Sequence, residues 1–245
     1  PTVLGNIIFI NGQGRYVIQA YINSTGLTLD RSLGTFSSTS GSIGGAVALP
    51  SNISAVTVVN NFVWIKSGVY QLTGVAINVG NNRGFSGYGV QRNDEGMAWL
   101  EASGMNAGVQ TLNMSDHSIC RNLIISNSKA YSFHGGSLQS TAINCIAISG
   151  ANGGFSFLQN AFNCFSSGNL FGFSCTAAVC CAAVFNQQYG FNAKYCISCL
   201  AYHNSVVTAN TYDGFQAPNE GCVFASCVSH GNGRQRYGFN VANKT

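Results

Sequence analysis

One short phrase returns five times between Asn144 and Phe239, and it narrows the fold further than anything else in the chain. A cysteine in a small apolar strand is followed by a polar turn and then by a Gly-Phe pair. Asn144-Cys145-Ile146 leads to Gly154-Phe155, Asn163-Cys164-Phe165 to Gly172-Phe173, and Cys180-Cys181-Ala182 to Gly190-Phe191. Ser198-Cys199-Leu200 leads to Gly214-Phe215, and Ser226-Cys227-Val228 to Gly238-Phe239. The Gly-Phe pairs recur at 18, 18, 24 and 24 residues, the cysteines at 19, 17, 18 and 28. Such periods belong to stacked repeat units. They are too short for two packed helices and a connection, and they suit a coil of three short strands joined by turns. Cys145-Ile146-Ala147-Ile148-Ser149 alternates small and large side chains with the period of a strand. Coils stacked about 4.8 Å apart would pile equivalent residues into ladders. The phenylalanines would form one inward stack and the cysteines another. Asn152, Asn169, Asn186, Asn204 and Asn232 would form a third at the bends, where asparagine tolerates left-handed backbone. A sandwich with evenly spaced strands is the competing architecture.

Composition limits the function classes. Charged residues make up 7% of the 245, against about 25% in an average soluble protein. No apolar run approaches 18 residues, so no membrane partner is expected. The net charge of +4 is scattered rather than gathered into a basic stripe, so no nucleic acid is expected either. A surface of Asn, Ser, Thr, Gln and Gly has few charges to oppose association and suits a protein held in an assembly. The ten cysteines read as small buried free thiols. A disulfide framework is the alternative, but it belongs to short secreted chains without a core. Cys196-x-x-Cys199 lacks the second pair that a zinc site needs. These readings, with no signal peptide at Pro1-Thr2-Val3, place synthesis in a reducing cytoplasm. No cofactor and no metal are expected.

Ahead of the repeats, Ile7-Ile8-Phe9-Ile10, Tyr16-Val17-Ile18 and Leu27-Thr28-Leu29 read as strands of a small antiparallel meander, separated by Asn/Gly turn signals. Residues 1–36 are therefore expected to form the meander, 37–60 a linker and lid, and 61–245 the coil. The linker is the Ser/Thr/Gly stretch from Thr35 to Gly45; the lid is a short helix near Pro50, or a strand through Val56-Thr57-Val58-Val59. Phe62 to Lys66 begins regular strand structure, continued past a bend at Gly68. The succession Gly44-Gly45-Ala46, then Val63-Trp64-Ile65-Lys66 running on to Tyr70, then Gly87-Tyr88-Gly89 running on through Arg92 to Asp94, resembles the right-handed parallel β-helix proteins of the pectate-lyase-like superfamily. More narrowly it resembles bacteriophage tailspikes and other virion-surface proteins. The resemblance covers roughly residues 44 to 241. It implies an all-β fold, a right-handed parallel β-helix behind the meander, and a homotrimer in a virion assembled in the host cytoplasm; at about 22 residues per coil, Trp64 to Asn240 leave room for about eight coils. It also implies an N-terminal region that docks on other virion proteins or trimerises. Only six residues follow Phe239, too few to cap an apolar coil end, so a neighbouring subunit or further chain is expected there.

The acids are Asp30, Asp94, Glu95, Glu101, Asp116, Asp213 and Glu220. They do not supply the carboxylate cluster of the calcium-dependent lyases in the superfamily. A glycosidase needs two carboxylates about 5–9 Å apart. Asp213 and Glu220 are the candidate catalytic pair, on the longest interval between cysteines of the phrase. Tyr212 could stack on a sugar, and Arg234 and Arg236 could hold an acidic one. The competing reading makes both acids solvated turn residues. Asp116-His117 would point to opposite faces of a strand, which favours a turn role over a dyad. His134, His203 and His230 fall near bends, with His203 and His230 stacked in neighbouring coils, but a third metal ligand is missing. The expected function is structural or adhesive, in a tailspike, a fibre or a capsid decoration, with host-glycan binding; the alternative is a glycoside hydrolase acting on bacterial surface polysaccharide.

Overall fold

Three strands per turn of chain, each hydrogen-bonded to its equivalent one repeat away, account for the period. The computed structural model describes residues 7–10, 14–23, 26–29, 41–44, 62–74, 76–89, 96–136, 139–206, 212–219, 221–231 and 236–240. The chain divides into two compact units, Pro1–Ala48 and Leu49–Thr245. In the first, strands Ile7–Ile10, Gly14–Asn23, Gly26–Leu29 and Gly41–Gly44 pair antiparallel. The Gly41–Gly44 strand, which pairs with Ile7–Ile10, lies in the segment expected as linker. The expected lid near Pro50 lies outside the described residues.

The second unit is a parallel β-helix. Every pairing among its strands is parallel, which excludes the sandwich. Eight strands from Gly68–Gly74 to Val228–His230 form one continuous sheet. The larger sheet holds two strand columns, joined where Gly153–Phe162, Phe171–Val179 and Phe191–Ile197 run from one column into the next. In the first of these strands the register shifts between Ser156 and Leu158, around the left-handed Phe157.

The phenylalanine ladder forms as the repeat requires. Phe133, Phe155, Phe173, Phe191, Phe215 and Phe239 stack with centroids 4.7–4.8 Å apart and planes within 2–7°. At Gly154, Gly172 and Gly190 the glycine before the phenylalanine has a steric reason: a Cβ at Gly172 would lie 2.8 Å from the Cβ of Ala183 and closer still to the Gly190 carbonyl.

The cysteines sit one step away from the expected place. Cys145, Cys164, Cys181, Cys199 and Cys227 precede their strands rather than lying in them, immediately after a corner residue with left-handed backbone. Those corner residues are Asn144, Asn163, Cys180, Ser198 and Ser226. Each thiol donates to two carbonyls, as Cys181 does to Ala161 and Val179, both at 3.3 Å. All ten cysteines are free.

The asparagines split into two ladders. Asn169, Asn186 and Asn204 are buried and linked, with Asn186 Nδ2 donating to Asn204 Oδ1 at 2.9 Å. Asn122, Asn144 and Asn163 form the second at the left-handed corner, where no ladder was expected. Asn152 belongs to neither: its carbonyl accepts from Leu170 N, one residue beyond the Asn169 position. Asn232 lies outside the described residues.

Candidate functional site

Asp213 occupies a ladder position that neighbouring coils fill with tyrosine. Gly190 N donates to the Asp213 carbonyl, Gly172 N to that of Tyr189, and Gly214 N to that of Tyr237, so the three are equivalent. The side chain of Asp213 is 1% exposed, which replaces the expected solvated turn residue with a buried one. Burying a carboxylate is costly unless donors replace its water. The next coil supplies them. Arg236 donates from Nε to Oδ1 at 3.1 Å and from Nη2 to Oδ2 at 2.9 Å, and Asn240 Nδ2 donates to Oδ2 at 2.7 Å. This forked geometry is the strong form of an Arg–carboxylate pair. The hydrogen bond from Arg236 and the charge of Asp213 raise the guanidinium pKa further. Tyr212 is tied by its backbone, donating to Ser205 Oγ and accepting from Arg236 N. Of the five residues expected at a glycan site, the structure joins Asp213 to Arg236 and places Tyr212 beside them. Glu220 and Arg234 lie outside the described residues.

The remaining described acids are surface groups. Glu101 accepts hydrogen bonds from Ser126, Asn127 and Ser103 N. Partial burial pushes its carboxyl pKa up, but these donors outweigh it and hold the group below the usual range. Asp116 and His117 do meet, Oδ2 to Nδ1 at 3.2 Å, contrary to the strand argument. They lie in a turn where left-handed His117 swings its ring back, and both are exposed, so the pair is worth little. Among the described residues, no three His, Cys, Asp or Glu side chains converge as metal ligands.

Of the three histidines expected near bends, His203 sits at one, with left-handed backbone. His134 lies in the short strand Phe133–Gly135, between bends at Ser132 and Gly136, stacked on Tyr131 at 5.0 Å with Phe157 edge-on at 5.5 Å. Burial lowers its pKa, and its Nδ1 has no hydrogen-bond partner. His203 and His230 lie near each other but tilted; Tyr202 holds the stacked place, 4.1 Å from His203 and 5.3 Å from His230.

Among the described residues, two outward columns are apolar. Across the eight-stranded sheet, the residues in register are Val69, Trp99, Ile124, Ile146, Phe165, Ala182, Leu200 and Val228, an unbroken outward-facing column. Around the left-handed corner runs a second: Ile143, Phe162, Val179, Ile197 and Ala225, bounded by Arg121 in the preceding coil. None of these residues is buried; exposure reaches 60% at Val69 and 45% at Ile197. On the inner side of the same sheet the column in register runs from Leu100 and Ile125 to the small residues Ala147, Ser166, Ala183 and Ala201. The sequence signal for the first column is the triplet large–small–large, as in Ile146-Ala147-Ile148 and Leu200-Ala201-Tyr202, with the small residue facing in. No protein family, curated protein or solved structure matches this chain.

Proposed function

We propose that the chain is a structural or adhesive component of a bacteriophage particle, related in architecture to tailspikes and other virion-surface β-helices of the pectate-lyase-like superfamily. In this reading it is a right-handed β-helix of about eight coils, one for each strand of the continuous sheet. It assembles as a homotrimer in the host cytoplasm. The N-terminal strands form the module that docks on other virion proteins or trimerises, and the polar faces of the helix meet bacterial surface polysaccharide.

The observation that carries the scaffold reading over the enzymatic one is Asp213. The described member of the candidate catalytic pair is buried and gives both carboxylate oxygens to donors of the next coil. A general acid or nucleophile has to reach a glycosidic bond; this carboxylate joins two coils. The test is to incubate the protein with capsular polysaccharides and lipopolysaccharides and follow both retention and chain length. Retention of a glycan without shortening is the expected result. Release of oligosaccharides that Asp213→Asn abolishes, with the variant still folded, would replace this reading with a hydrolase.

A further inference from the structure

We infer that the outward column of His134, Ser156, Ser174 and Asn192, with the aromatic rings that border it, binds a neutral sugar unit of a polysaccharide. The inference rests on the adhesive part of the proposed function. It moves the glycan contact away from Tyr212, Arg234 and Arg236, because Arg236 is already engaged by Asp213.

These four residues directly follow the inward phenylalanines Phe133, Phe155, Phe173 and Phe191 and are in register across adjacent coils. Strand alternation turns their side chains outward, where polar groups ordinarily bond to water. Here they do not. Ser156 is fully buried, and His134 Nδ1, Ser156 Oγ and Asn192 Oδ1 are closed off from solvent without a hydrogen-bond partner. One such group lowers stability. Three of them in a single column point to a surface completed by the donors and acceptors of a ligand.

Aromatic rings border the column. Tyr131 stacks on His134 with centroids 5.0 Å apart and stands 6.0 Å from Phe171, which stacks on Tyr189 at 5.1 Å. In the coil between Tyr131 and Phe171 the equivalent residue is Gly153, and a Cβ there would lie 2.2 Å from the Phe171 ring, so the glycine makes room for that ring. Further along the strand stands Phe157, the extra residue of the register shift, left-handed and 53% exposed. Its ring meets His134 edge-on, at 5.5 Å and 89°, and so crosses the ladder instead of joining it. Exposed side chains change rotamer readily. A turn of the Phe157 ring away from His134 admits the ligand and offers it a flat apolar face.

The chemistry selects the ligand. A sugar unit joins an apolar C–H face to a rim of hydroxyls, each both donor and acceptor. That suits aromatic rings beside an imidazole nitrogen, a hydroxyl and an amide oxygen. None of the column or bordering residues is an acid, a lysine or an arginine. The next charge along the Asn192 strand, Lys194, has its Nζ 5.2 Å from the centroid of the Tyr195 ring. A nucleic acid or an acidic sugar finds no counter-charge in the column.

The experiment measures retention on the immobilised full chain of neutral and acidic polysaccharides from bacterial capsules and lipopolysaccharides, and of oligothymidylate. It compares the wild type with Ser156→Ala, Phe157→Ala and Phe162→Ala, the last removing an exposed phenylalanine from the far end of the same strand. A melting temperature is recorded for each. The wild type should retain a neutral polysaccharide, Ser156→Ala and Phe157→Ala should each weaken that retention about tenfold, and Phe162→Ala should leave it unchanged. Ser156→Ala separates binding from folding. Removing a buried hydroxyl that has no partner in the free protein should leave the melting temperature unchanged or raise it while binding falls. A lowered melting temperature would mean that the hydroxyl is already bonded within the chain, and would overturn the site. Equal retention by the wild type, Ser156→Ala and Phe157→Ala would overturn it too, while leaving the adhesive reading in place. Retention of acidic polysaccharide or oligothymidylate alone would overturn the neutral sugar as the ligand. A wild type that retains nothing would overturn both the site and the adhesive reading.

Discussion

Asp213 shows how far a single residue can be read from its neighbours. Its place in the ladder was legible, because Tyr189-Gly190-Phe191-Asn192 and Tyr237-Gly238-Phe239-Asn240 flank it with the same phrase. Its partners were not. Arg236 and Asn240 arrive 23 and 27 residues later, and only the length of the intervening coil decides that they converge on one carboxylate. This geometry predicts an asymmetry between two substitutions. Asp213→Asn keeps a neutral acceptor in the buried position and leaves Arg236 free to turn to water. Arg236→Ala leaves a buried carboxylate short of two donors, the costlier outcome. Thermal denaturation should therefore rank Arg236→Ala as less stable than Asp213→Asn, and the reverse order would mean that water replaces the guanidinium. A second residue-scale effect concerns His134. Burial lowers its pKa in the folded state below the ordinary value of 6.5, so the unfolded chain binds the proton more tightly. The stabilisation is complete above pH 6.5 and declines as pH falls from there through the folded-state pKa. A pH series of melting temperatures should show this decline in the wild type, and His134→Phe should flatten it.

Strand and ladder elements follow from the repeat because each makes a demand that only certain residues meet. The phenylalanine stack was legible from Phe155 onward, since a planar ring repeats comfortably at the coil spacing. It extends one coil further, to Phe133, where serine replaces the usual glycine and hides the phrase. The corners were legible only in part. Left-handed backbone selects asparagine at Asn122, Asn144 and Asn163, but Cys180, Ser198 and Ser226 adopt it as well, so residue type alone does not trace the corner through the later coils. The two inner ladders should differ in how they fail. Phe173 is fully buried, with rings on both sides, and Phe173→Ala should cost about 3–5 kcal/mol. Asn186→Ala deletes no apolar surface. It takes the acceptor from Asn169 N and the donor from the Ser166 carbonyl, at about 1–3 kcal/mol for each group left unsatisfied. Denaturant titration of both variants gives the comparison. Phe239→Ala, at a position 41% exposed, should cost much less than Phe173→Ala.

At the scale of the whole β-helix, the limit on reading the sequence is parity. An alternating triplet states that one set of side chains faces in, but the width of the interior decides which. In the eight-stranded sheet the inward column holds Leu100 and Ile125 in the early coils but only alanine and serine from Ala147 to Ala201, where isoleucine, leucine and phenylalanine go outward. The usual rule that large apolar residues mark the core holds at Leu100 and Ile125 and reads the later coils of this sheet inside out. The same narrow interior governs the thiols. Cys120, Cys145, Cys164, Cys181, Cys196 and Cys199 are buried, whereas Cys180 is exposed at its corner. Burial pushes the thiols of Cys120 and Cys164 well up and that of Cys181 up to about 12, away from the reactive thiolate. Each coil touches only its neighbours, so the coils should open in sequence rather than all at once. Under native conditions a thiol reagent followed by peptide mass spectrometry should modify Cys180 first. Cys227, which is only partly buried, should come next, Cys199 after it, and Cys145 and Cys164 in the middle of the stack last. One shared rate for the six buried cysteines would mean that the coils open together, with the interlocked phenylalanine stack binding them into one cooperative unit.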